Sequence, residues 1–363
     1  MARVSVIGTG LVGGSVGLAL RKTGHDVRGF DRDPARAAHA KELGAVDEVA
    51  STLTEAVAGA DVVVVAVPVA AVPETVIEAL DAGVGVVTDV GSVKAPVIAA
   101  VEAARPGRAD RFVGGHPMAG SEQDGLDGAD ADLFVGATWV LTPTEHTAPE
   151  AFTALRSLVV QTGAEVLAVA PEHHDALVAV VSHVPQLAAT TLMDVAAAGG
   201  EQHATLLRLA AGGFRDMTRI AAGHPGIWPD ICVANRDAIV AALGEYLSAL
   251  AQVRDLVADG DRSGLLALLE RARAARRSLP VGTPVDEGLV ELRVPVPDRP
   301  GVLAEVTTLA GELGINIADL EIAHSLEGVT GVLVLVVVDH PDVARFESAL
   351  ADRGYHPSRI QLP

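Results

Sequence analysis

Cations, aromatic side chains and cysteine are all scarce in this chain of 363 residues, and each scarcity excludes something. Lys and Arg number 27 against 47 Asp and Glu, a net charge of -20. Such a surplus of anions repels phosphate backbones, which argues against nucleic acid and against an anionic membrane as partner. An anionic small ligand therefore needs a locally basic pocket. Aromatics are 3% of the residues, whereas apolar residues reach 49% and charged ones 20%, so the cores must be aliphatic and the chain is not compositionally disordered. The single cysteine, Cys232, cannot form an intrachain disulfide, in keeping with a reducing compartment. Long apolar runs are lacking as well. Val62 to Val67 and Val332 to Val338 are far shorter than a membrane span, and Met1-Ala2-Arg3 leads straight into a strand-like run with no signal peptide. The expectation is a soluble, cytoplasmic protein of two or three domains, at the usual ~150 residues per domain.

What is present is an alternation of strands and helices. Arg3 to Ile7 is a β-branched run, followed by a glycine cluster, a helical pattern through Val16, Leu18, Ala19 and Leu20, and a second strand from Asp26 to Phe30. Further strands are expected at Asp61 to Val67, Val84 to Asp89, Arg111 to Gly115, Thr138 to Leu141 and Glu165 to Val169. Unbroken valine runs mark strands covered on both faces, so residues 1–170 read as a Rossmann-like, doubly wound, mainly parallel α/β domain. From Pro171 to Leu279 the chain turns Ala/Leu-rich with helical periodicity, so residues 171–279 read as an all-α domain. Residues 280–288 form a Pro/Gly-rich linker. Residues 289–363 follow a βαββαβ order around an Asp298-Arg299-Pro300-Gly301 turn, the pattern of a ferredoxin-like α+β domain.

Gly8-Thr9-Gly10-Leu11-Val12-Gly13 matches GxGxxG between the first strand and the first helix. There Gly8 permits a tight turn, Gly10 lets a pyrophosphate reach the backbone, Gly13 allows close helix packing, and the helix N-terminus offers N–H donors to phosphate. Asp31 ends the second strand, where a carboxylate bonds the ribose hydroxyls of NAD and repels the phosphate of NADP, although Arg32 beside it is suited to pair with that phosphate. Val67-Pro68 ends another strand at the same edge. The proline is either a cofactor contact or a simple strand terminator.

Ser92, in Asp89-Val90-Gly91-Ser92-Val93-Lys94, falls at this carboxyl edge and reads equally as a site residue or as the N-cap of the next helix. His116 follows the next strand in the glycine-rich loop Gly114 to Gly120, placed to act as general base beside a nicotinamide. His173, His174 and His183 lack an HExxH spacing and a completing carboxylate, so no metal site is expected. His174 and the segment Ser182-His183-Val184-Pro185-Gln186 either line the cleft or are buried, hydrogen-bonded core residues. Arg215 and Arg219 are four apart, on one face if a helix has begun by Phe214, and make either a carboxylate clamp or an ion pair with Asp216. Trp228 reads as packing.

Together, Gly8 to Gly13, Asp89 to Lys94, GGHPMAGSE at 114–122, Ser182 to Gln186 and GGFRDMTRIA at 213–222 resemble the prephenate/arogenate dehydrogenase family of tyrosine biosynthesis over most of residues 1–279. Residues from Leu289 resemble the amino-acid-sensing ACT domains through Asp298 to Gly301 and Gly314-Ile315-Asn316-Ile317. The resemblance implies that His116 is the base for the ring hydroxyl, assisted by Ser92, and that Arg219 anchors the side-chain carboxylate. It puts Arg215, His174, Ser121 and Glu122 in or near the pocket, and Asp298, Gly301, Asn316 and Ile317 at an effector site. Where some bacterial members end the Ser-His motif in a second histidine, this chain has Gln186, which leaves prephenate and arogenate open as substrates.

The expected activity is NAD-dependent oxidative decarboxylation of prephenate, controlled by an amino acid such as tyrosine, in a homodimer. The alternatives are arogenate as substrate, another hydroxy-acid dehydrogenase of the superfamily, or a non-catalytic dinucleotide and amino-acid sensor.

Overall fold

The computed structural model describes residues 1–120, 123, 125–200, 212–278, 289–297, 299–324, 330–338 and 340–361, apart from some side chains inside those spans. They fall into two compact units, Met1–Asp259 and Gly260–Pro363.

In the first unit, strands β1 (Arg3–Ile7), β2 (Asp26–Phe30), β3 (Glu48–Val49), β4 (Val62–Val65), β5 (Val86–Asp89), β6 (Phe112–Pro117), β7 (Thr138–Thr142) and β8 (Glu165–Ala168) form one sheet in the order β3-β2-β1-β4-β5-β6-β7-β8. All neighbours run parallel except β6 and β7. Side chains alternate across a strand, so the valine runs feed two cores. Val4, Val6, Val62 and Val64 pack on one face with Val16, Leu20 and Phe134. Ile7, Val63 and Val65 pack on the other with Val76, Leu80 and Val101. Burying each such side chain contributes about 1.5–3 kcal/mol, so the sheet is held from both sides by aliphatic contact. The helices supplying these faces include α1 (Leu11–Lys22), α2 (Pro34–Glu42), α3 (Leu53–Val57), α4 (Val72–Asp81), α5 (Ala95–Ala104) and α6 (Pro149–Val160).

Beyond β8 come α7 (Pro171–Val178), a π-helical turn (Ala179–His183), α8 (Val184–Gly200), α9 (Gly212–Thr218), α10 (Trp228–Ala234) and α11 (Arg236–Ala258). Contrary to the short apolar runs expected, Pro171–Ala198 is by length and composition long and apolar enough to cross a membrane. Its buried positions include His174, Asp175, His183 and Gln186, however, and the first three are hydrogen-bonded within this unit. Charge and imidazole on the inward face suit a helix packed on polar protein rather than on lipid.

The second unit holds α12 (Arg262–Arg277), β9 (Leu289–Pro297), α13 (Val302–Glu312), β10 (Ile317–His324), β11 (Thr330–Val338), α14 (Pro341–Asp352) and β12 (Ser358–Gln361). Its antiparallel sheet has the order β10-β11-β9-β12, with the short tail after α14 supplying the fourth strand on β9. Val290, Leu292, Val294, Leu333, Leu335 and Phe346 are at its core. Gly301 has φ +91°, a left-handed value, and caps α13, which is why glycine closes the turn before the helix. The expected linker 280–288 lies outside the described residues.

The glycine loop separates two kinds of constraint. A Cβ on Gly13 would lie 1.9 Å from the Gly8 carbonyl oxygen, whereas one on Gly10 meets nothing within 4 Å. Gly13→Ala is expected to destabilise the protein by about 1–3 kcal/mol, and Gly10→Ala by less than about 1 kcal/mol, as urea denaturation of the two variants side by side would show.

Candidate active site

The ends of β1, β4, β5 and β6 meet at one edge of the sheet, and there the glycine loop turns. Gly8, with φ +93°, donates its N–H to the Phe30 carbonyl at 2.7 Å, and a Cβ there would lie 2.4 Å from the Ala66 carbonyl oxygen. Gly10 is the N-cap of α1 and a Cβ there would meet nothing within 4 Å, so the backbone at the start of the helix is open to the approach of a phosphate group. Leu11, Val12 and Gly13 form the first turn.

Asp31, just past the end of β2, is bonded to the glycine loop. Its Oδ2 accepts from the Thr9 N–H at 2.9 Å and from the Thr9 hydroxyl at 3.2 Å, and its Oδ1 accepts from the Asp33 N–H at 2.9 Å. It thus braces the glycine loop, whatever further acceptor capacity it turns to a ribose. The cation nearest it is Arg36, at 3.5 Å, while Arg32 is exposed. Val67 is half-buried and Pro68 exposed where β4 ends.

Under this edge lies a buried ion pair that sequence reasoning missed. The side chains of Lys94 and Asp89 are both 0% exposed. The Lys94 ammonium bonds the Asp89 carboxylate and donates to the Gly115 carbonyl at 2.8 Å, and Asp89 also accepts from the Gly91 and Gly115 N–H groups at 2.9 and 3.2 Å. Burial pulls Lys94 below the usual ammonium range, while Asp89 and then Asp175 hold it up. Removing one partner of such a pair costs about 3–5 kcal/mol, because a bare charge is left behind. The pair pins the loop after β5 to the backbone of β6, one residue before His116.

His116 itself is on β6 rather than in a loop, because the strand runs on through Pro117 and pairs with β7, His116 opposite Val140. That gives the imidazole a rigid mount. Its Nδ1 is 2.9 Å from Nε2 of His174, with the rings edge to face at 5.1 Å. His174 is 2% exposed, and its Nδ1 is 2.8 Å from the Asp175 carboxylate. That carboxylate also takes the N–H groups of Lys94 and Ala95, each at 2.8 Å, at the start of α5. Burial first, then Lys94, His174 and His183, hold the His116 pKa well below the ordinary imidazole range, so the ring is neutral at pH 7.

The remaining candidates divide. Ser92 is half-buried on the same edge and is not the cap of α5, whose N-cap is Lys94. Ser182 is in the π-helical turn, and Gln186 is 9% exposed on α8. Asn235 donates to the Asp175 carbonyl at 2.9 Å and lies 3.2 Å from His183 Nδ1, and Trp228 stands edge-on to His183 at 6.1 Å. The two arginines fall in different elements. α9 ends at Thr218, and Arg219 opens a 3-10 turn, Arg219–Ala222, that packs on α8. Both are exposed. Ser121, Glu122 and Asp298 lie outside the described residues. Asn316 is exposed and Ile317 begins β10 in the second unit, with Gly301 at the cap of α13.

Comparison with known proteins agrees with this architecture. Three family models match: the nucleotide-binding domain of prephenate dehydrogenase at residues 16–168, its dimerization domain at 170–271, and the ACT domain at 290–354. A prephenate dehydrogenase of Bacillus subtilis (strain 168) is 33% identical over 360 residues, covering 97% of this chain and 96% of the relative. Among solved structures, Synechocystis arogenate dehydrogenase is 32% identical with a TM-score of 0.66, over 76% of this chain and 98% of that one. The prephenate dehydrogenase from A. aeolicus, in complex with hydroxyphenyl propionate and NAD+, is 30% identical with a TM-score of 0.71, over 76% of this chain and 97% of that one.

The buried histidines make stability depend on acid. Burial pushes His183 down to about 4, against the opposing pull of Asp175, from an ordinary 6.5. Between those values the unfolded chain binds more protons, so stability falls as pH drops from 6.5 towards 4. Urea midpoints measured across this range are expected to decline, and to decline less steeply in His183→Gln.

Proposed function

As the chain belongs to the prephenate dehydrogenase family, we propose that it catalyses the NAD-dependent oxidative decarboxylation of prephenate to 4-hydroxyphenylpyruvate. The observation that carries this reading is a neutral imidazole, His116, mounted on a strand at the carboxyl edge and backed by a second, buried imidazole. A cyclohexadienol needs a base for its hydroxyl proton, and His116 supplies one. Gly8, Thr9, Gly10, Leu11, Val12 and Gly13 would hold the pyrophosphate of NAD, Asp31 the ribose, and Val67 and Pro68 the flank of the nicotinamide. When bound, the cofactor accepts the hydride from the carbinol carbon.

The protein's own residues do the rest. His116 takes the hydroxyl proton while Ser92 helps to orient it. The ring carboxylate leaves as CO2, and its bonding electrons complete an aromatic ring, which makes the reaction downhill. Arg219 anchors the side-chain carboxylate, with Arg215, His174, Ser182, Gln186, Ser121 and Glu122 around the substrate. In a chain of net charge -20, a guanidinium at that place supplies the local attraction a dianionic substrate requires. General-base assistance of this kind contributes about 10²- to 10⁴-fold.

Arogenate is the second reading. Gln186 is a neutral amide where a charged group would discriminate between the keto group of prephenate and the ammonium of arogenate, and the Synechocystis relative is an arogenate dehydrogenase. A non-catalytic sensor has no need of His116 in this setting. We read the ACT domain as the site of an amino-acid effector, with tyrosine as the first to try, and Asp298, Gly301, Asn316 and Ile317 as its contacts. The apolar residues that α11 exposes, Val240, Leu247, Leu250 and Val257, support a homodimer through the domain whose family model is named for dimerization.

His116→Asn is expected to lower prephenate-dependent NADH formation by about 10²- to 10⁴-fold. Arg219→Ala is expected to raise the KM for prephenate roughly 10- to 100-fold at little cost in kcat. Unchanged values would remove each residue from its role. A steady-state assay crossing prephenate and arogenate with NAD and NADP, with and without tyrosine, is expected to favour prephenate with NAD and to respond to tyrosine. Light scattering should give the mass of a dimer.

A further inference from the structure

We propose that Asp175 is a positioning residue for the proton transfer: acting through His174, it decides which nitrogen of His116 carries the proton and so keeps Nε2 free to accept one. This rests on the reading of His116 as the base. The Asp175 carboxylate is held from three directions. Oδ1 accepts from the Lys94 N–H at 2.8 Å and lies 2.8 Å from His174 Nδ1, and Oδ2 accepts from the Ala95 N–H at 2.8 Å. Turning it away would strip two backbone donors at the start of a ten-residue helix, where an anion is favoured. Asn235, bonded to the Asp175 carbonyl at 2.9 Å, fixes the backbone as well.

A carboxylate only accepts, so His174 must carry its proton on Nδ1. A neutral ring then has a bare lone pair on Nε2, and that atom is 2.9 Å from His116 Nδ1. His116 must in turn donate from Nδ1, which leaves Nε2 as its proton acceptor. The opposite arrangement sets the lone pair of His174 Nδ1 against the carboxylate and places a proton on His116 Nε2, where the base must be empty. One anion thus sets the tautomer of two imidazoles in series.

The same anion is a counter-charge for the imidazolium that forms. Around His116 stand Lys94 on the α5 side, His174 on α7 and His183 in the π-helical turn, all of which oppose a positive ring. Asp89 is already bound to Lys94, so among the described residues Asp175, one imidazole away, is the carboxylate placed to offset the new charge. No proton need pass beyond His116.

The test reads tautomers directly. In the full-length protein without ligands, histidine-selective 15N–1H NMR, assigned with His116→Asn and His174→Asn, is expected to show both rings protonated on Nδ1 and unprotonated on Nε2. Asp175→Asn is expected to move His116 towards the Nε2-protonated form. It should lower kcat by about 10²-fold or more, with the KM for prephenate and the Kd for NAD changed by less than about threefold. A wild-type His116 protonated on Nε2 overturns the proposal, as does an Asp175→Asn enzyme with normal kcat or one impaired only in KM. If His116→Asn is inactive while Asp175→Asn is normal, the relay fails and the base stands; if His116→Asn remains active, the base itself fails. Should Asp175→Asn not fold, the wild-type tautomers decide alone.

Discussion

A carboxylate from the helical segment sits on the first turn of a helix from the sheet, and the geometry of the candidate site depends on that contact. Asp175 is bonded to the backbone of Lys94 and Ala95 and to the ring of His174, so one side chain ties α7 to α5 while holding a histidine in place. Helix packing alone leaves orientation loose at the scale of an ångström. Three N–H donors converging on one buried anion leave far less freedom, because each unpaired donor in a low-dielectric interior would be expensive.

The electrostatics of the surroundings point the same way. The chain as a whole is strongly anionic, yet the ground beneath His116 is a buried ammonium, neutralised by Asp89 and tied to the Gly115 carbonyl. An imidazole that is buried and close to that ammonium stays uncharged well below its ordinary range. A neutral ring is the form that accepts a proton, so burial and Lys94 keep the base ready, and the hydrogen bond from the His116 side to His174 keeps it aimed. The two effects oppose each other once the ring is protonated, which is where a nearby carboxylate matters most.

Much of the fold was legible because it follows from local rules. Valine runs in a chain poor in aromatics announced strands covered on both faces, and the alternation of Val62, Val63, Val64 and Val65 between two cores is the physical content of that signal. The glycine loop could be placed because Gly8 and Gly13 tolerate no Cβ, a requirement that leaves its mark on residue choice. Harder to read were boundaries set by pairing. His116 looked like a loop residue beside three glycines, but β7 recruits it into an antiparallel ladder. Arg215 and Arg219 read as parts of one helix, whereas the α-helix ends at Thr218 and Arg219 opens a 3-10 turn. The bonds by which Asp31 accepts from the Thr9 N–H and hydroxyl had no mark in the sequence either.

The sequence by itself determined the layered α/β sheet, the helical segment, the ferredoxin-like second unit and the identity of the histidine at the sheet edge, since each depends on periodicity, on glycine or on position after a strand. It carried no sign that Lys94 and Asp89 would be buried as a pair, or that Asp175, eighty-odd residues downstream of Lys94 in a different element, would cap α5. Those pairings belong to tertiary structure alone. A charge leaves no periodic trace of its partner, and whether it is solvated or locked inside is settled only when distant segments close around it and water is excluded.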